Sequence, residues 1–242
     1  MDWNLFGMIL QKYWPLFVNG ALTTLWISII GTVAGLFIGL MIGIIRTIPK
    51  PGTKGKRIVL KIIHILLNLY IEIFRGTPMM VQAMVLYYGA PLFLGWEIPR
   101  MTSALIIISI NTGAYMAEIV RGGILSVDKG QFEAAHAIGM SHFQTMVHVV
   151  MPQALRNILP ATGNEFVINI KDSSVLNVIS ISELFFQAKT IGGMHFRVFE
   201  PFLIAGIIYF VLTFAVTRML RWLEKKMDGS GEFIMAGNQM QV

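Results

Sequence analysis

Long apolar runs constrain the fold of this chain more than any other feature of its sequence. The first extends from about residue 20 to residue 45 without a single charged side chain. Roughly 20 apolar residues in a helix suffice to cross a bilayer, so this run predicts a transmembrane helix. Only 13% of all residues are charged, against roughly a quarter in soluble domains. We therefore expect an all-α integral membrane protein, whose 242 residues leave no room for a large soluble domain.

The apolar runs predict five crossings within a single transmembrane domain over residues 1–242, at about 20–45, 78–94, 101–120, 152–180 and 201–222. Six Lys and Arg residues in the loop at 46–61 place that loop in the cytoplasm, because cytoplasmic loops are rich in basic residues. More basic residues follow the last crossing, so we expect the N-terminus outside and the C-terminus inside. The net charge of +6 therefore reflects membrane topology and does not indicate a nucleic-acid partner. The Gly-rich tail at 228–242 is expected to be mobile.

Residues 58–74 form an apolar segment that carries a polar stripe. Its four polar members recur at steps of three and four residues, which places them on one face of a helix: Lys61, His64, Asn68 and Glu72. A full crossing would put these groups in lipid. We therefore predict an amphipathic helix at the cytoplasmic surface of the membrane.

Four glycines recur at four-residue intervals in the first crossing: Gly31, Gly35, Gly39 and Gly43. Small residues at this spacing let two helix backbones approach each other closely in lipid. The stripe predicts a close helix–helix contact, either with a second subunit or within the same one. The sequence leaves both possibilities open.

A polar segment at 128–151 separates two of the apolar spans. Asp128 with Gln131 predicts a capping box, and Gly139 is placed to end the helix that follows. Ser141 with Gln144 then predicts a second capping box. Two short helices with a bend between them, held by spans on both sides, are typical of a docking element for a cytoplasmic partner. The alternative is an ordinary cytoplasmic loop.

Polar residues also concentrate around Pro78, where a kink is expected because proline lacks a backbone donor. Glu72 and Arg75 are three residues apart and could form a pair within one helix. The segment is either a solute-facing elbow or simply a cap and ion pair that join two helices. Its candidate pathway residues are Glu72, Arg75, Thr77 and Gln82.

A second concentration of polar residues lies in the crossing at 152–180. Glu165, Asn169 and Asp172 share one helical face, and polar groups within a bilayer usually face a cavity or a partner. Carboxylates there would suit the ammonium group of a cationic or zwitterionic solute. We predict that Glu165 and Asn169 face a cavity, whereas Lys171 and Asp172 form a structural network. A weaker stripe on the preceding span consists of Asn111, Thr112, Tyr115 and Glu118.

The chain lacks the patterns of an enzyme. It has no G-x-x-x-x-G-K-[ST] phosphate-binding loop, so its energy must come from a partner or from an ion gradient. The five histidines show no metal-ligand spacing, and cysteine is absent. We predict no catalytic residue, no metal site and no cofactor on this chain.

Several segments together resemble one family. They are Gly20–Leu25, Glu72–Pro78, Ala114–Ile124, Asn164–Phe166, Lys171–Ser174, and the sequence Glu133-Ala134-Ala135 followed by Gly139 and Pro152. The chain resembles permease subunits of polar amino-acid ABC importers of the histidine/glutamine type. His136 departs from the short residue common after Glu-Ala-Ala in that family, which could alter the choice of partner.

The resemblance implies the type I importer permease fold, in the cytoplasmic membrane of a prokaryote. It implies a homo- or heterodimer of permeases, an ATPase dimer that holds ATP and Mg, and an extracytoplasmic amino-acid-binding protein or domain. The residues that it assigns to ATPase coupling are Glu133, Ala134, Ala135, Gly139 and Ser141. Two alternatives are an ion-coupled secondary transporter that uses Glu165 and Asp172, and a regulatory membrane protein without transport. No convincing internal repeat supports the former.

Overall fold

The computed structural model describes residues 3–49 and 51–228, and this part of the chain is helical throughout apart from short connections. A π-helical turn, Met146–Val150, precedes the helix that begins at Met151, and a 3-10 segment, Ser173–Ile179, follows the same helix. The α-helices are α1 (Trp3–Arg46), α2 (Lys54–Gly76), α3 (Met79–Leu94), α4 (Arg100–Leu125), α5 (Lys129–Ala137), α6 (His142–Thr145), α7 (Met151–Asp172), α8 (Leu184–His195) and α9 (Phe199–Asp228).

Three helices in the described part of the chain are long and apolar enough to cross a membrane by themselves: α1, α4 and α9. The helix α3 is as apolar but shorter, and α7 carries the polar stripe of Glu165 and Asn169. The helix α1 is longer than the predicted crossing, because it begins at Trp3 and has 44 residues. At 1.5 Å per residue it is about 66 Å long, well beyond the thickness of a hydrocarbon core.

The extra N-terminal turns of α1 pack against α8 and α9 at the predicted outer side. Ile9 and Phe17 are fully buried there against Leu184 and Ile191 of α8. Between the predicted crossings at 152–180 and 201–222 the structure has the 12-residue helix α8. Glu183 is its N-cap: the buried carboxylate accepts from two backbone N–H groups at the start of α8.

The glycine stripe of α1 packs against α4 within the same subunit. A Cβ added to any of the four glycines would come within 2.7 Å of an α4 side chain. Residue numbers rise together along both helices, so α1 and α4 are parallel. The contacts join Gly31 to Ile108, Gly35 to Thr112, Gly39 to Met116 and Gly43 to Val120. All four glycines are buried by α4, so the stripe is not a seam between subunits.

The helix α2 contains the amphipathic segment predicted at 58–74. It runs from Lys54 to Gly76 and follows α4 in the antiparallel direction. Its His64 ring contacts the carbonyl of Ile45 at 3.2 Å, and two turns later the Tyr70 hydroxyl donates to the carbonyl of Ile110 at 2.6 Å. Two members of the polar stripe, Asn68 and Glu72, line a cavity that is described below. A break of two residues then separates α2 from α3, which continues along the other half of α4.

The polar segment contains two short capped helices joined by a bend. Ser141 and Gln144 form the predicted capping box, with reciprocal bonds of 3.3 and 2.9 Å. Gly139 has φ +80°, the left-handed conformation that glycine adopts without strain. The box predicted at Asp128 and Gln131 is wrong: Asp128 caps the N–H of Gly130, and the Gln131 carbonyl accepts from Gln153. The predicted mobile tail at 228–242 lies outside the described residues, except that Asp228 ends α9.

Candidate solute pathway and coupling segment

A polar cavity of about 510 Å³ lies where the break between α2 and α3 meets α4 and α7. We name it the carboxylate cavity, because two acidic side chains of α7 line it. Its lining residues are Arg75, Gly76, Thr77, Pro78, Met79, Asn111, Tyr115, Glu165, Ile168, Asn169 and Asp172. Two segments that are distant in the sequence, around Pro78 and around Glu165, therefore meet at one site.

The stripe on α7 faces this cavity, although its members differ in what their side chains do. Glu165 lines the cavity as predicted. Asn169 borders it, but its amide donates to Thr32 at 2.9 Å and its carbonyl accepts from Thr112 at 3.0 Å. Because both of its polar ends are bonded, Asn169 links α7 to α1 and α4.

Asp172 also lines the carboxylate cavity, a position that was not predicted for it. Lys171 and Asp172 are both exposed, and no ion pair within 4.0 Å joins them. Neighbouring positions on a helix point in different directions, since successive side chains are about 100° apart. Asp172 therefore turns to the cavity with Glu165, and Lys171 does not.

The break between α2 and α3 is held by a network of amide groups. The Gln82 amide donates to the carbonyls of Phe74 and Thr77, each at 3.0 Å, and to the Thr77 hydroxyl at 2.8 Å. Asn111 of α4 donates to the Gln82 carbonyl at 3.0 Å and to Phe74 at 3.1 Å. These bonds satisfy carbonyls left free where α2 ends at Gly76, just before Pro78. Gln82 thus supports the break from outside both polar cavities.

A second polar cavity, of about 560 Å³, lies beside the first and towards the basic end of α1. We name it the inner cavity. It is lined by Arg46, Asn68, Ile71, Glu72, Arg75, Gly76, Tyr115 and Glu118. Arg75 does not pair with Glu72 here, contrary to one of the possibilities that the sequence left open. Its guanidinium instead lies over the Tyr115 ring, 5.3 Å from the ring centroid.

Glu118 is held by two arginines at the floor of the inner cavity. Its carboxylate pairs with Arg46 of α1 and, at 3.0 Å, with Arg121 one turn further along α4. These pairs join the inner ends of α1 and α4. This role of Arg46 was not predictable from the sequence, because nothing there connects it with a glutamate 72 positions away.

The predicted coupling residues occupy different environments in the bent segment. Glu133, Ala134 and Gly139 are exposed, whereas Ala135 is only 4% exposed and the Ser141 hydroxyl is occupied by its cap. The segment rests on the end of α4 and the start of α7 through an apolar cluster of Val127, Phe132, Met146 and Val150. It is thereby attached firmly to two membrane helices.

Two large apolar side chains flank the bend and were not singled out in the sequence. Ile138 is 79% exposed and Phe143 is 74% exposed. The signal that could have found them is their position on either side of Gly139 and Ser141 in this polar segment. Exposed apolar side chains that form a patch can mark a protein–protein interaction site.

A bundle of apolar helices with polar cavities between them, and with a capped polar segment between two spans, is typical of a transporter permease. Residues 56–229 match the family described as the binding-protein-dependent transport system inner membrane component, and the chain belongs to that family. It is therefore a permease subunit of an ABC importer in a prokaryotic inner membrane. It is not an enzyme, since the ATPase of such a system is a separate subunit.

Curated relatives support this assignment over almost the whole chain. The glutamine transport system permease protein GlnP of Escherichia coli (strain K12) is 40% identical over 214 residues, which cover 88% of this chain and 93% of GlnP. The arginine transport system permease protein ArtQ of Bacillus subtilis (strain 168) is 34% identical over 216 residues, covering 89% and 94%.

Solved structures agree with the fold. A chain from the crystal structure of an amino acid ABC transporter with histidines superposes with a TM-score of 0.79 and 38% identity, covering 90% of this chain and 97% of that one. The MetNI methionine ABC transporter, in an inward-facing conformation, gives a TM-score of 0.69 at 20% identity, covering 87% and 97%. The type I importer permease fold is thus confirmed, and nothing in these relationships supports an ion-coupled transporter.

Proposed function

We propose that this permease carries polar amino acids through the carboxylate cavity and the inner cavity into the cytoplasm. The observation that carries the proposal is the meeting of Glu165, Asp172 and Arg75 around one cavity. Two carboxylates suit an ammonium group, and a guanidinium suits a carboxylate. These are the two charged groups that every α-amino acid has. The names of the relatives, which refer to glutamine and arginine, point to the same class of solute.

The roles of the pathway residues follow from which polar atoms are already bonded. Glu165 and Asp172 have no ion pair within 4.0 Å in the described part of the chain, so their carboxylates are available to a solute. Thr77, Gln82 and Asn111 bond one another or the end of α2, so they hold the shape of the cavity. Asn169 has a similar supporting role. We expect cationic and zwitterionic amino acids to be preferred over anionic ones, because the carboxylates outnumber the guanidinium.

Transport is driven from the coupling segment. A cytoplasmic ATPase, which holds ATP and Mg, docks on the exposed face around Glu133, Ala134 and Gly139. Ala135 and Ser141 support this face from within, the former by packing and the latter by its cap. Since the segment is packed on α4 and α7, its movement would be passed to the two helices that line the carboxylate cavity.

The arrangement in the membrane follows from five crossings with the N-terminus outside and the C-terminus inside. We assign them to α1, the broken pair α2 and α3, α4, α7 and α9. The parallel packing of α1 and α4 supports this order, because both would run inward. A second permease subunit, identical or related, would complete the pathway. An extracytoplasmic binding protein or domain would deliver the amino acid.

Purification of the tagged chain from its own membranes, with whatever chains remain bound, tests the proposed function. After reconstitution into liposomes with ATP on the side of the coupling segment, labelled glutamine, arginine and histidine should accumulate only while ATP is hydrolysed. The chain alone, under a proton or sodium gradient, serves as the comparison. Gradient-driven uptake without an ATPase would overturn the proposal in favour of a secondary transporter.

A further inference from the structure

The carboxylate cavity and the inner cavity adjoin each other at three residues. Arg75, Gly76 and Tyr115 line both of them. Two of the three contribute side chains to this boundary, and these side chains touch: the Arg75 guanidinium covers the Tyr115 ring. A solute that moves directly from one cavity to the other therefore passes beside this pair.

Gly76 leaves room beside the pair. A Cβ added at this glycine would have no other part of the described chain within 4 Å. The boundary between the two cavities therefore has open space at Gly76.

A second partner for the guanidinium lies within reach in the inner cavity. Glu72 stands three residues before Arg75 on α2, a spacing at which side chains on a helix can meet. The ion pairs of the described chain both belong to Glu118, which Arg46 and Arg121 already occupy. Glu72 is therefore the carboxylate of the inner cavity that remains available to Arg75.

The two partners of Arg75 lie at different levels of the pathway. Tyr115 borders both cavities, whereas Glu72 borders the inner cavity alone. On α2, Glu72 is one turn closer to His64, which contacts the inner end of α1. A guanidinium that turns from the ring to Glu72 thus moves away from the boundary and into the inner cavity.

We propose that the solute pathway has two compartments and that the Arg75 side chain is the movable partition between them. It closes the boundary while it lies on the Tyr115 ring, and it opens the boundary when it turns to Glu72. This rests on the proposed function, because the cargo is taken to be a cationic or zwitterionic amino acid. The carboxylate of such a solute attracts the guanidinium and accompanies it towards the inner cavity.

Thiol labelling from the cytoplasmic side tests the partition directly. The chain has no cysteine, so a single cysteine can be introduced without further changes to it. Asn68→Cys places the thiol in the inner cavity, and Ile168→Cys places it in the carboxylate cavity. The intact transporter is used in inside-out membrane vesicles without ATP, with a membrane-impermeant maleimide. Labelling is measured after electrophoresis, on the gel band of the permease alone.

We expect Asn68→Cys to react about tenfold faster than Ile168→Cys, in keeping with the strength of a shielded cation–π contact. Adding Arg75→Ala should raise the rate at Ile168→Cys to nearly that at Asn68→Cys, whose own rate should not change. Tyr115→Phe, which keeps the ring, should leave the labelling rate at Ile168→Cys unchanged. Tyr115→Leu, which removes the ring, should raise that rate as Arg75→Ala does.

The proposal is overturned if Arg75→Ala leaves the rate at Ile168→Cys unchanged, or if Tyr115→Phe opens the boundary as fully as Tyr115→Leu. Labelling requires no transport. If the rates follow expectation while no amino acid is taken up, the partition stands and the proposed cargo is wrong.

A substitution at Gly76 provides a second test that does not depend on Arg75. Gly76→Leu fills the open space at the boundary and should slow both the labelling of Ile168→Cys and amino-acid uptake. Gly206→Leu is the matched control, because Gly206 also has open space around it but lies on α9, away from both cavities. Equal effects of the two substitutions would contradict a boundary at Gly76.

Discussion

Gly39 of α1 lies so close to Met116 of α4 that the glycine has no room for a side chain. A Cβ on Gly39 would be 2.7 Å from the backbone carbonyl carbon of Met116, and a backbone atom inside a helix cannot move aside cheaply. Three further contacts of this kind extend the seam along both helices. The seam keeps the α4 wall of both cavities at a fixed distance from α1.

Gly39→Ala should therefore destabilise the protein, although alanine favours helix more than glycine does. Overpacking of this kind costs about 1–3 kcal/mol. Thermal unfolding of the purified complex in detergent measures the effect. Gly206→Ala is the control, since its Cβ meets open space and the substitution should be neutral or stabilising. Equal stability of the two variants would contradict the seam.

Glu133→Lys should uncouple transport from ATP hydrolysis, because it reverses a charge on the exposed face of α5. Insertion into the membrane should not change. Uptake and stimulated ATPase activity are measured in proteoliposomes. Lys54→Glu also reverses a charge, at an exposed residue at the start of α2, and is the control outside the coupling segment. Undiminished uptake by Glu133→Lys would count against docking at this face.

Phe143→Ala should weaken binding of the ATPase without lowering the stability of the permease itself. A large exposed side chain contributes little to its own fold, but an aromatic anchor in an interface is commonly worth about 2 kcal/mol or more. Titration of the purified ATPase onto the reconstituted permease measures this. Phe93→Ala removes an equally exposed aromatic ring from α3 and should leave ATPase binding unchanged. If both variants bind the ATPase as the parent does, Phe143 is not an anchor.

Glu165→Gln should raise the KM for cationic and zwitterionic amino acids by about 10- to 100-fold, the usual range for losing a hydrogen bond to a charged group. The variant preserves shape, so docking of the ATPase should be retained. Concentration-dependent uptake and ATPase stimulation are measured side by side. Glu97→Gln, on the exposed connection after α3, is the control. Equal loss of uptake and stimulation would show that Glu165 is structural.

Tyr209→Phe should lower thermal stability by about 1.5–3 kcal/mol, the range for a hydrogen bond to a charged group. The Tyr209 hydroxyl donates to the buried Glu183 carboxylate at 2.7 Å and so connects α9 to the cap of α8. Tyr88→Phe, at an exposed hydroxyl-bearing side chain on α3, is the control. A melting temperature that is the same in both variants would mean that this bond contributes nothing.

The site was only partly predictable from the sequence. The polar faces of α2 and α7 were recognised by their helical spacing, and the structure brings both to cavities. The position of Asp172 at the cavity was not predicted, because its neighbour Lys171 offered an obvious partner, whereas direction around the helix decides what a side chain contacts. The stabilising role of Asn169 was missed for a related reason, since Thr32 lies 137 positions earlier in the chain.

The sequence by itself determined that this chain is helical, where most of its helices lie, and how the coupling segment is capped. These properties are local: a backbone in lipid must satisfy its own hydrogen bonds, and a cap such as Ser141 acts within three residues. Only the tertiary structure decided that the glycine stripe packs against α4, that α2 runs antiparallel along α4, and that Arg75 lies over the Tyr115 ring. These depend on which helix faces join, and that choice is made by close packing among residues far apart in the chain.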